Sequence, residues 1–98
     1  MSNGVSGLLG LAARARKITS GDTAFHQFRL HTVHLVIISE DVGNNTKKKL
    51  MDKCEFYHIQ YVYMNGDVMN AAIGTGNRKF IAILDEGFAQ KLHACLKG

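Results

Sequence analysis

The sequence predicts an α/β fold, a three-layer α/β/α sandwich on a small mixed sheet. Three observations carry that expectation. Strand-like and helix-like segments alternate almost throughout, the pattern of a largely parallel or mixed sheet with helices on both faces. Two of the strand-like segments, HLVIIS and FIAIL, are nearly continuously apolar and rich in β-branched residues, as strands covered on both faces are. No linker, low-complexity tract or internal repeat divides the 98 residues, enough chain for a single domain with one modest core.

Along the chain, Val5, Leu8, Leu9, Ala12 and Ala15 recur at helical spacing. Arg14, Arg16 and Lys17 close that segment, where cations complement the negative end of the helix dipole. KITSG reads as one brief strand. Gly21 and Asp22 open a second helix, with Ala24, Phe25 and Phe28 on its buried face. After the HLVIIS strand, Asn44, Asn45 and Thr46 are cap candidates for a third helix whose apolar stripe is Leu50, Met51, Cys54 and Tyr57. IQYVY is the next strand, and GDVMNAAIG a short helix begun at Asp67 and stopped by Gly74. FIAIL follows, and Phe88, Ala89, Leu92 and Leu96 mark a closing helix with Asp85 and Glu86 as its capping acids. Proline is absent, so the turns rely on Gly, Asn and Asp.

The net charge of +4 and a pI near 9.3 are compatible with an anionic partner without requiring one. No apolar run has the length of a membrane span, and the start of the chain lacks the features of a secretory signal, so a cytoplasmic protein without membrane contact is expected. Cys54 and Cys95 are too few for a disulfide framework and are expected as thiols. The five histidines do not assemble into a zinc site, GTGNRK lacks the spacing of a phosphate loop, and no nucleophile–base arrangement is present. No metal, no cofactor and no catalysis are expected.

In such a sheet, parallel strands bring their carboxyl ends to one edge, where the following helices begin. Three turns, TSGDT, SEDVGNN and MNGDVMN, are expected to converge there, each ahead of a helix whose first amides point outward. Lys47, Lys48 and Lys49 stand in what reads as the first helical turn, a mildly unfavourable place for cations that attraction for an anion would offset. Lys47 shares the face of Met51 and Cys54 and must reach out of the apolar stripe towards the edge. Lys48 has Asp52 within i, i+4 reach, while Lys49 and Lys53 are placed together on an outer face.

The stretches LLGLAARARKITSG, LVIISEDVGNNTKKKLMDKC, MNAAIG and DEGFAQKL together resemble the L-seven-Ae/L-thirty-e family of ribosomal proteins, and within it the bacterial YlxQ-type members. The resemblance covers almost the whole chain in order. It implies an RNA-binding α/β/α domain that recognises kink-turns, sharp bends in duplex RNA built around tandem sheared G·A pairs. It maps Gly21 onto the glycine that approaches the RNA backbone, with Asp22 and Thr23 beside it. Glu40 and Asp41 correspond to the acidic pair after the buried strand, and residues 65–71 to the loop that covers a flipped-out nucleotide. Within that loop Val68, Met69 and Asn70 are the candidate contacts, with a core role for Met69 as the alternative.

The family typically carries Gly-x-Asn-Glu-x-x-Lys at the second helix. Here Thr23 stands for Asn, Ala24 for Glu and Gln27 for Lys, which weakens the expected guanine readout although Gln27 still reaches for a base edge. His31 replaces a glycine that ends the helix, and Gln60 a proline before the next strand. With phosphate contacts from Lys47, Lys48 and Arg78 and a polar contact from Asn45, the expected function is non-catalytic binding of structured, kink-turn-like RNA, ribosomal in context. The alternatives are a protein–protein module that reuses the edge, whose protein partners the sequence does not name, and a detached accessory RNA-binding subunit of an RNA-modifying enzyme.

Overall fold

A computed structural model describes residues 4–97. The elements run α1 (Gly4–Arg14), β1 (Ile18–Thr19), α2 (Gly21–Arg29), β2 (Leu35–Ser39), α3 (Asn44–Tyr57), β3 (Gln60–Met64), α4 (Gly66–Ile73), β4 (Phe80–Ile83) and α5 (Glu86–Lys97). The four strands form one sheet in the order β1-β4-β2-β3. β2 and β3 pair in parallel, with Leu35 opposite Gln60 and Ser39 opposite Met64. β4 runs antiparallel to both of its neighbours, setting Ile37 opposite Ile81 and Ile18 opposite Ile83. The mixed sheet with helices on both faces is therefore as expected from the alternation of segments.

The apolar runs are explained by where alternate side chains go. Leu35 and Ile37 of β2, with Ile81 and Ile83 of β4, enter one cluster with Leu9, Met69 and Leu92 from α1, α4 and α5. Val36 and Ile38, with Phe80 and Ala82, enter the other with Ala24 and Phe28 of α2 and Leu50 and Cys54 of α3. Both faces of the central strands are dry, so neither can afford a polar residue until Ser39. Among the described residues no helix is long and apolar enough to cross a membrane.

Two helix starts differ from expectation, while α2 opens at Gly21 as expected. The cap of α3 is Gly43, in extended conformation and without a side-chain bond, rather than Asn44, Asn45 or Thr46. The helix consequently begins at Asn44, so Lys47 closes the first turn and Lys48 and Lys49 fall in the second. Their conflict with the dipole is smaller than the sequence suggests, since the effect fades within a turn. α4 begins at Gly66 rather than Asp67, capped by Asn65, whose side-chain oxygen accepts from the Val68 N–H at 3.0 Å. Gly74 ends it in the left-handed conformation, as expected. Asp85 caps α5, accepting from the Phe88 N–H at 2.9 Å.

Burial pushes the Cys54 thiol up from its ordinary 9.0 to about 11. The unfolded thiol ionises first on raising the pH. Between those values the folded chain keeps a proton that the unfolded chain has lost, and stability falls as pH rises. Urea unfolding across that range is expected to show a steeper loss of stability for the wild type than for Cys54→Ala, which cancels the contribution of other groups.

Candidate functional site

Because β1, β2 and β3 are mutually parallel, their carboxyl ends lie on one edge of the sheet, joined there by the amino end of β4. Across that edge the strand order sets Ser20–Asp22 first, then Arg78 and Lys79, then Glu40 and Asp41, then Asn65–Asp67. The three turns converge as the sequence implies. The contribution of β4 was not foreseen.

Backbone bonds lock these turns together. The Ser39 N–H donates to the Lys79 carbonyl at 2.8 Å, and the Glu40 N–H to the Met64 carbonyl at 2.9 Å. Ser39 is wholly buried, and its hydroxyl donates to the Asp41 carboxylate. A side chain on Gly66 would collide with that hydroxyl, so the approach of the β2 and β3 turns requires glycine there. Asp41 also receives the Lys79 ammonium at 2.9 Å, the one ion pair among the described residues. The Ser39 hydroxyl, and then Lys79, hold the Asp41 carboxyl below its ordinary 3.8, so it is an anion at neutral pH.

The edge is not uniformly positive, contrary to the simplest reading of its lysines. Glu40, Asp41 and Asp67 line a shallow hollow with Asn65 and Gly66. Cations flank it, with Lys47 and Lys48 on the α3 side and Arg78 towards Ser20 and Thr19 of the β1 turn. Lys47 leaves the apolar stripe as expected, and its Nζ lies 5.7 Å above the ring of Tyr63 on the outer strand β3. Lys48 is exposed and makes no ion pair with Asp52. Neither Ser20 before α2 nor Gly43 before α3 supplies a side-chain cap, which leaves first-turn amides of both helices open to a ligand.

Gly21, with φ of 64°, has no atom within 4 Å of where a side chain would stand. Its left-handed backbone and open surroundings suit a close approach by another backbone.

Residues 4–93 match the Ribosomal protein L7Ae/L30e/S12e/Gadd45 family. The chain belongs to that family. Among relatives of this L7Ae/L30e-family chain, the RNA-binding protein YlxQ of Bacillus subtilis (strain 168) is 42% identical over 91% of each chain. The RNA-binding protein YlxQ of Enterococcus faecium is 30% identical over 93% of this chain and 89% of its own. A solved protein of unknown function from Bacillus halodurans C superposes with a TM-score of 0.91 at 40% identity, over the full length of both chains. The Giardia lamblia 15.5kD RNA binding protein shares the fold, with a TM-score of 0.75 at 18% identity over 95% of this chain and 84% of that one.

Within this family framework the candidate residues divide. Asp22, Thr23, Asn45 and Val68 are exposed beside the convergent turns. Of the two places open to Met69, a nucleotide contact and the core, it takes the core, its side chain fully buried in the cluster with residues of α1 and α5. Asn70 is also buried, and all its polar atoms are committed inward: Nδ2 donates to the Gly66 and Arg78 carbonyls at 2.8 and 3.0 Å, and Oδ1 accepts from the Arg78 N–H and the Thr75 hydroxyl. Val68 is the member of that trio open to a nucleotide. Gln27 is drawn away as well, its side-chain oxygen accepting from the Thr32 hydroxyl where α2 turns into β2. His31 adopts the left-handed conformation at φ 59°, which is the conformation a glycine would take there without strain.

Lys49 and Lys53, placed by helical periodicity on an outer face, instead face α2 across a groove shared with Asp22, Phe25, His26 and Arg29. Periodicity locates a residue on its own helix and is silent about which neighbouring helix it meets. Arg29 carried no signal in the sequence beyond its charge, and His26 carried none.

Proposed function

We propose that this chain is a non-catalytic RNA-binding protein that holds kink-turn or similarly bent RNA against the convergent edge, in a ribosomal context. The carrying observation is the charge arrangement of that edge, with carboxylates in the middle, Asp41 held as an anion among them, cations on the flanks and an unobstructed glycine beside them. Guanine presents N–H donors that carboxylates such as Glu40 and Asp41 accept, and sheared G·A pairs leave such edges reachable. Phosphates on either side would meet Lys47, Lys48 and Arg78, which supply affinity without sequence information. Gly21 and the uncapped starts of α2 and α3 would let the bent backbone come close. Asp22, Thr23 and Asn45 supply polar contacts, and Val68 an apolar one, around the same site. Both YlxQ relatives are RNA-binding proteins by name, which supports RNA as the partner.

With Ala24 at the position of the family's glutamate and Gln27 turned towards Thr32, base readout on this chain falls to the carboxylate hollow. The test is a binding titration that compares a kink-turn with the same RNA after its tandem G·A pairs become Watson–Crick pairs. The kink-turn is expected to bind at least about tenfold more tightly, a difference of about 1.4 kcal/mol. Equal affinity would remove kink-turn recognition, and no affinity for either RNA would favour a protein partner at this edge.

A further inference from the structure

The groove between α2 and α3 lies beside the convergent edge and has a different character. It measures about 390 Å³ and is lined by Asp22, Phe25, His26, Arg29, Lys49 and Lys53. Three permanent cations face it against one carboxylate, and Asp22 forms no ion pair with any of them. Cations left unpaired on two facing helices repel one another, a cost that an anion in the groove would remove.

One cation is also positioned. The Lys49 Nζ sits 5.1 Å from the centroid of the Phe25 ring, which holds the ammonium over the groove wall by cation–π attraction. Lys53 lies one helical turn further along α3, and Arg29 faces from α2. Both helices start at the convergent edge and run away from it, so the groove leads from Asp22 near the edge to Arg29 about 10 Å further along. A strand leaving the edge has this path open to it on the α3 flank of α2. The other flank carries Thr23 and Gln27.

We infer that the α2/α3 groove, through Arg29, Lys49 and Lys53, is a second phosphate-binding track that holds the stem backbone of a bent RNA beyond the bend itself. The inference rests on the proposed RNA-binding function and extends it to a surface outside the convergent edge. The groove reads backbone, not sequence, because cations outnumber its single carboxylate three to one and its aromatic ring is occupied by Lys49. It therefore sets how much flanking duplex the protein requires, while the edge sets which bend it accepts.

The test uses two kink-turn RNAs, one with stems trimmed close to the bend and one with stems extended by a full helical turn. Wild type, Arg29→Gln/Lys53→Gln and Lys47→Ala/Lys48→Ala are titrated against each over a range of salt. These are surface positions, and circular dichroism checks that each variant is folded. The groove variant is expected to weaken the extended RNA about tenfold and lower its salt slope by about 1.5, the effect of two lost phosphate contacts. The trimmed RNA should change less than about twofold, because its backbone ends before the groove. Unchanged binding of the extended RNA by the groove variant, with the Lys47/Lys48 variant still weakened, would overturn the inference and leave the edge reading intact. A wild type with no preference for kinked RNA would overturn both. A polyglutamate peptide that binds wild type but not the groove variant, with RNA binding unaltered, would instead assign the groove to an acidic protein.

Discussion

Replacing Asn70 by alanine is expected to destabilise the fold by about 2–3 kcal/mol, out of the roughly 5–15 kcal/mol typical of a native protein. The side chain is only 8% exposed, and of its four hydrogen bonds one stays within α4 and three fasten that helix to the loop before β4. Alanine would leave the Arg78 backbone N–H, the Arg78 carbonyl and the Thr75 hydroxyl without those partners in a partly buried setting. Asn70→Asp should be worse, since it puts a carboxylate oxygen where Nδ2 now meets two carbonyl oxygens. Urea denaturation measures both. The loop carries Arg78 and Lys79 to the edge, so ligand affinity should fall along with stability. A variant of unchanged stability and reduced RNA affinity would show that Asn70 is a direct contact after all.

Lys47→Ala/Lys48→Ala should do the reverse, leaving stability within about 0.5 kcal/mol and cutting RNA affinity. Both side chains are exposed, Lys47 rests only on the face of Tyr63, and Lys48 has no ion pair to lose. Two lost phosphate contacts should lower the slope of log affinity against log salt by about 1.5, and affinity by about tenfold at low salt. A parallel loss at every salt concentration would mean that the lysines shape the site without touching phosphate.

The fold was legible because its central strands are dry on both faces. LVIIS and FIAI must be apolar at every position when alternate residues enter opposite clusters, and only a covered sheet demands that. Helix starts were less legible. Gly43 ends the β2 turn without a side-chain bond, so three polar residues after it drew the cap forward. Met69 lies in an eight-residue helix, too short for periodicity to say which side faces inward. At the edge, the convergence of three turns followed from alternation alone. The Asp41–Lys79 pair did not, because it depends on β4 lying antiparallel between β1 and β2, and strand order is not written in any local pattern. The α2/α3 groove was hidden for a similar reason, as each helix supplies half of it.

β4 is the last strand in the chain and an interior one in the sheet, pairing with β1 on one side and β2 on the other. The edge is therefore complete only once the end of the sequence has inserted between two segments made long before it. A ligand gripped from residue 21 to residue 79 is bound by the finished fold and by no part of it. Its free energy is then linked to global unfolding, adding about 2.7 kcal/mol when the ligand is present at a hundred times its dissociation constant. Binding would register as a rise in the melting temperature of the whole sheet, with hydrogen exchange slowed most in the strands that open last.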